Sequence, residues 1–193
     1  MEEYTTNHIN VTRTCYPVDL PLLREEAERM RGLSTILTND KEDYQKIARK
    51  VGWRVSQWSG PDGSNPPPYK VYKHLKQITR DMGLNKCRGS NVRFYYLPGG
   101  SYLPNHIDYG STCALNFVLS EQYCPVLVEG ELGKCDGEPI MYSQGLLNTS
   151  RPHGVDNSSN TRSRVIINWS IKETTYEEVC ELIPEKYKLL SCS

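Results

Sequence analysis

The sequence predicts a mainly β fold with supporting helices, in the sandwich or jelly-roll class. Two observations lead there. From residue 90 onward, short segments rich in Val, Ile, Tyr and Phe alternate with turn residues, at 91–97, 112–120, 125–130, 138–142, 145–149 and 164–171. Strands this short and this closely spaced pack as facing sheets. Ahead of them the texture is different, with amphipathic helical stretches bounded by capping and stop residues.

The elements follow in order. Asp19 is placed to cap a helix running through Ala27 and Met30, with Pro21 in its first turn and Gly32 at its end. Residues 40–51 read as a second, shorter helix. Gly60 to Pro68 (Gly-Pro-Asp-Gly-Ser-Asn-Pro-Pro-Pro) is incompatible with regular structure and reads as a long surface loop. Tyr69 to Met82 is an amphipathic helix, with Val71, Leu75, Ile78 and Met82 on one face. Its Lys70, Lys73, Lys76 and Arg80 read as a solvated face rather than a phosphate site, because the chain as a whole is neutral. After the strands, Thr174-Thr175-Tyr176-Glu177 forms a capping box for a last helix that Pro184 ends or kinks. There is no internal repeat. The expected organisation is one domain over 1–193: mostly helical support in 1–89, a β core in 90–171 and a C-terminal helix in 172–193.

Composition narrows the function classes. Hydrophobic residues make up 37% and charged residues 24%, as in a globular protein. Lys plus Arg is 23 and Asp plus Glu is 23, so no net charge draws the chain to nucleic acid. The acidic start Met1-Glu2-Glu3-Tyr4 has no apolar run, and no stretch approaches a membrane span. Seven cysteines without Cys-x-x-Cys spacing fit reduced thiols and a cytoplasmic location. On that reading the acceptor patterns Asn148-Thr149-Ser150 and Asn168-Trp169-Ser170 are coincidental.

The chemistry concentrates in a few residues. His106 and Asp108 are two apart, so on an extended strand both project to one face. His153 follows in Arg151-Pro152-His153-Gly154-Val155, where the alternative to a ligand is a turn histidine. Two imidazoles and a carboxylate can hold one face of an octahedral iron(II) and leave the other open. Arg164 begins the strand Arg164-Val165-Ile166-Ile167-Asn168-Trp169-Ser170-Ile171, in which Arg164, Ile166, Asn168 and Ser170 share a face. An inward arginine is costly unless it meets an anion, and its planar fork suits a carboxylate. Arg162, two residues earlier on the same parity, competes for that role. His8 and His74 have no acidic neighbour at strand spacing.

His106-x-Asp108, His153 and Arg164 together resemble the iron(II)- and 2-oxoglutarate-dependent dioxygenases. The stretch from Tyr96-Leu-Pro-Gly-Gly-Ser-Tyr102 to His106-Ile-Asp108-Tyr109 is similar to the segment entering the metal site of prolyl hydroxylases. The stretch from His153-Gly-Val-Asp-Asn to Arg164-Val-Ile-Ile resembles the end of aspartyl/asparaginyl hydroxylase domains. The resemblance covers roughly residues 90–171. It implies a double-stranded β-helix, a jelly-roll variant of the cupin kind. It further implies iron held by His106, Asp108 and His153, and the distal carboxylate of 2-oxoglutarate held by Arg164. Tyr96 would place its hydroxyl on the cosubstrate, with Tyr95 in that role if the register is off by one. Asn116 would lie near the cosubstrate. Two features depart from the family pattern: Ile166 stands where many members have a serine, and Asn105 is an extra residue before the first histidine.

The implied activity is a hydroxylase-type oxygenase. It couples oxidative decarboxylation of 2-oxoglutarate, with dioxygen, to C–H oxidation of a primary substrate. A small molecule or a protein side chain is favoured over nucleic acid as that substrate, with no membrane partner. Asp108 counts against halogenation, where a small residue replaces the carboxylate ligand. Two other readings use the same residues: a cupin-like zinc hydrolase, and a non-catalytic jelly-roll binding module in which the His and Asp are coincidental.

Overall fold

A computed structural model of the protein describes residues 8–36, 51–58, 66–122 and 124–189. The expected helix over 40–51 and most of the expected loop over 60–68 lie outside these residues. Two antiparallel sheets form the body. The larger has seven strands in the order β1-β9-β6-β11-β4-β3-β2, and the smaller has four in the order β5-β10-β7-β8. In the large sheet these are β1 (Val11–Arg13), β2 (Thr35–Ile36), β3 (Arg54–Gln57), β4 (Arg88–Leu97), β6 (Cys113–Val118), β9 (Gln144–Asn148) and β11 (Arg164–Lys172). In the small sheet they are β5 (Ser101–His106), β7 (Val126–Val128), β8 (Glu138–Ile140) and β10 (His153–Asn157). The mainly β jelly-roll architecture read from the spacing of turns is the one present.

Two apolar clusters hold the layers together, and strand alternation decides which residue joins which. Phe94, Leu115, Phe117, Ile167 and Ile171 face the helices on one side of the large sheet. Leu97, Val118, Leu147 and Ile166 face Leu103, Val126, Val128 and Val155 of the small sheet on the other. Helix α1 (Leu20–Arg31) is capped by Asp19, whose Oδ1 accepts from the Leu22 amide at 3.0 Å. Such a cap contributes about 1 kcal/mol. Helix α2 (Tyr69–Asp81) buries Val71, Leu75 and Ile78, as its periodicity predicts.

Two expectations need correction. The N-terminal part is not only helical support, because β1, β2 and β3 join the large sheet at both of its edges. Helix α3 (Tyr176–Leu182) is capped by the box Thr175/Glu178, one residue later than the sequence pattern suggested. His153 opens strand β10. Gly154, Asp156 and Asn157 are weak strand formers, and this strand is imposed by its neighbours β5 and β7. Asn148 and Asn168 are both buried, so neither presents a glycosylation acceptor. No helix among the described residues is long and apolar enough to cross a membrane.

Candidate metal centre

The pairing of β5 with β10 brings the site together. His153 is the direct cross-strand partner of His106, but the next pair is Val155 with Leu103. One residue of β10, Gly154, therefore opposes two of β5, Pro104 and Asn105, which is a β-bulge. The extra residue noted before the first histidine is accommodated here. Asn105 is buried, and its Nδ2 donates to the carbonyl of Asp136 at 2.9 Å, to Asp136 Oδ1 at 2.9 Å and to the Glu131 carbonyl at 3.2 Å. The backbone amide of Asn105 donates to the Lys134 carbonyl and its carbonyl accepts from the Gly133 amide. Only glycine fits opposite: a Cβ on Gly154 would lie 2.6 Å from Asn105 Oδ1 and 2.8 Å from the Leu103 carbonyl.

The imidazoles are held alike. His106 Nδ1 lies 2.9 Å from the Pro104 carbonyl, and His153 Nδ1 lies 3.0 Å from the Arg151 carbonyl. A carbonyl only accepts, so each Nδ1 carries the hydrogen and each Nε2 keeps its lone pair for a metal. The rings are 4.4 Å apart between centroids, and His106 Nε2 is 3.6 Å from Asp108 Oδ1. One ligand atom from each of His106, Asp108 and His153 lies within 4.8 Å of the others. The Asp108 amide donates to the Thr149 carbonyl, which fixes the backbone just beyond β5. Burial, and then the neighbouring His153, push the His106 pKa down to about 4, against a smaller opposing pull from Asp108. At neutral pH that ring is uncharged, the form in which imidazole binds a metal.

A cavity between the two sheets contains the triad together with Trp53, Tyr95, Asn116, Tyr142, Asn168 and Arg164. Arg164 is 5% exposed. The Tyr142 hydroxyl and the Cys124 thiol lie in its electrostatic field, its Nε has no hydrogen-bond partner, and no described carboxylate pairs with it. Arg162 lies on the surface and pairs with Glu121. Of the two competing arginines, only Arg164 faces the cavity.

Tyr96 does not reach the cavity. Its hydroxyl donates to the Ala27 carbonyl at 2.7 Å and its ring packs in the helix-side core. Tyr95 lines the cavity instead, with its ring 5.2 Å from Trp53 and Arg93 Nη1 donating to its hydroxyl at 3.4 Å. On β4, Tyr95 pairs with Ile166 and Tyr96 with Val165 of β11, so strand alternation puts Tyr95 on the Arg164 face and Tyr96 on the opposite one. Asn116 does face the cavity, and its Nδ2 donates to the Tyr142 hydroxyl at 3.1 Å. The sequence missed three lining residues. Asn168 was on the Arg164 face by parity but given no role. Trp53, whose ring centroid is 6.4 Å from that of His106, and Tyr142 lie in segments without a signature.

Neither a protein-family model nor a curated protein matches this sequence. Solved structures do match the fold. A Pseudomonas putida prolyl-4-hydroxylase superposes with a TM-score of 0.55 at 14% identity, over 84% of this chain and 92% of that one. A prolyl hydroxylase from Trichoplax adhaerens, in complex with a hypoxia inducible factor oxygen degradation domain peptide fragment, gives 0.53 at 14% identity, over 89% and 85%. The chain therefore has a 2-oxoglutarate/iron(II)-oxygenase-like fold, and a His-Asp-His grouping capable of holding a metal lies within it.

Proposed function

We propose that the protein is a non-haem iron(II)- and 2-oxoglutarate-dependent oxygenase, most simply a hydroxylase. His106, Asp108 and His153 would hold iron(II), and Arg164 would hold the distal carboxylate of 2-oxoglutarate. The observation that carries this reading is Arg164: a buried guanidinium without an anionic partner among the described residues, lining the same cavity as two imidazoles and a carboxylate. The donor set suits iron(II), and the unsatisfied Arg164 Nε suits a carboxylate fork. When bound, the metal and cosubstrate supply the oxidising chemistry, in which dioxygen is consumed, 2-oxoglutarate yields succinate and carbon dioxide, and a C–H bond is oxidised.

The chain's own part is placement. Two backbone carbonyls keep both Nε2 lone pairs available, and the apolar walls Leu103, Val126, Val155 and Ile166 exclude water around the reacting groups. Trp53 and Tyr95 form the wall beside His106. The primary substrate is a small molecule or a protein side chain. The peptide bound to the Trichoplax enzyme supports keeping the second class open. A zinc-held water could use the same three donors, but that reading assigns no partner to Arg164.

The test is anaerobic addition of iron(II) and 2-oxoglutarate to metal-free protein. A visible charge-transfer band that needs both, followed by succinate release on aeration, is the expected result. Tight metal binding with neither band nor succinate would overturn the reading in favour of a hydrolytic or non-catalytic site.

A further inference from the structure

Helix α2 carries its charge unpaired. From Tyr69 to Arg80 the chain has no acidic residue, while Lys70, Lys73, Lys76 and Arg80 are all exposed. Elsewhere cations meet acids: Arg29 pairs with Glu26, Arg31 with Glu28, Arg88 with Glu173 and Arg162 with Glu121. None of the α2 cations makes an ion pair with a described residue. Asp81, next in the chain, is taken by the Tyr16 hydroxyl and by Gln77 Nε2, each donating at 2.7 Å. Lys73, Lys76 and Arg80 are three and four residues apart, so they form one stripe along the helix. Lys70 lies a further step round the helix.

Beside this stripe an apolar groove of about 350 Å³ runs between α2 and the large sheet. Tyr72, Lys76 and Thr79 form its helix rim. Its floor is the cross-strand row Val92, Trp169 and Leu115 on β4, β11 and β6. Strand alternation puts that row on the face opposite Arg164 and Asn168, so the groove and the metal centre lie on opposite sides of the sheet. Trp58 adds an indole wall, and its Nε1 already donates to Glu26 Oε1 at 2.7 Å. It therefore offers the groove only apolar surface. Cations on an apolar rim call for a partner with both characters. A phosphate backbone or a lipid surface would meet the stripe and leave the groove empty.

We propose that this groove docks an acidic peptide segment of a partner protein. An aromatic or aliphatic side chain of the segment enters the groove, and its carboxylates lie on Lys73, Lys76 and Arg80. The inference does not rest on the function proposed above.

The test titrates the full chain with a fluorescein-labelled oligoglutamate peptide carrying a central phenylalanine, read by anisotropy. The same peptide with serine in place of phenylalanine is the comparison. Saturable binding that weakens with salt, and is tighter for the phenylalanine peptide, is expected. Lys73→Glu combined with Lys76→Glu should weaken it by about tenfold or more, and Lys70→Glu far less. Thr79→Trp keeps every cation but fills the groove, so it should abolish the preference for phenylalanine, which is about tenfold for one buried ring. Equal affinity of wild type for the two peptides, or an equal loss in Lys70→Glu, would reduce the face to unspecific charge and overturn the proposal. Tighter binding of oligouridine or of phosphatidylserine vesicles than of the phenylalanine peptide would overturn it in favour of those partners.

Discussion

His153 faces His106 directly across the β5–β10 ladder, although 47 positions separate them in the chain, and their ring centroids are 4.4 Å apart. Each ring is fixed through Nδ1 to a carbonyl two residues upstream. Removing one ring takes away a third of the donor set while leaving the ladder's backbone pairing intact. His153→Ala should therefore stay folded and lose iron(II) affinity by roughly 100-fold or more, beyond what loss of an outer-shell partner costs. Metal stoichiometry after dialysis, read beside circular dichroism, checks this. Full iron occupancy would remove His153 from the site.

Gly154 governs the same pairing. An alanine Cβ there would meet Asn105 Oδ1 at 2.6 Å and the Leu103 carbonyl at 2.8 Å, so the bulge must shift. Gly154→Ala should cost about 1–3 kcal/mol of stability, as overpacking does, and weaken metal binding as well. Denaturant midpoints and metal titration measure the two effects, and a variant indistinguishable from wild type in both would refute the tight fit.

Arg164 sets function against stability. A buried cation with no counter-charge among the described residues disfavours the empty fold, so Arg164→Met should leave the melting temperature of the ligand-free protein unchanged or higher. The same change should weaken 2-oxoglutarate binding by roughly 100-fold or more, because two charge-assisted hydrogen bonds are lost. Arg162→Ala should do neither, since Arg162 is a surface partner of Glu121. The opposite assignment of effects would move the carboxylate clamp to Arg162.

Tyr96 separates a structural tyrosine from a ligand-facing one. Tyr96→Phe loses the hydrogen bond to Ala27 and should cost about 1 kcal/mol, with 2-oxoglutarate affinity unchanged. A drop in that affinity without loss of stability would mean the hydroxyl does reach the cosubstrate.

Acid should act through His106. Its folded-state pKa, about 4, lies below the ordinary 6.5, so between those values the unfolded chain takes up a proton that the folded chain refuses. The stability of the metal-free protein is then full above about pH 6.5 and falls as the pH drops toward 4. Urea melts across that range in wild type and His106→Gln provide the measurement. An equally steep pH slope in the variant would assign the titration to another group.

Much of this was legible from local pattern. The cap at Asp19, the buried stripe of α2 and the alternation along β11 follow from residue type and period, and parity alone placed Arg164 and Asn168 on one face. What escaped the sequence depends on pairing between distant strands. Strand β10 forms despite Gly154, Asp156 and Asn157 because β5 and β7 flank it. Tyr96 took the place of Tyr95 because the face each takes depends on the pairing of β4 with β11, Tyr95 with Ile166 and Tyr96 with Val165. Tyr142 carries no motif, and its ring packs close over Gly145, three residues on in β9.

Asn105 links a surface excursion to the centre of the molecule. Because one inserted side chain both displaces the ladder beside His106 and grips residues 131–136 from within, that outer lobe cannot be shortened, grafted or rebuilt independently. Any redesign of the lobe is also a redesign of where the first imidazole points.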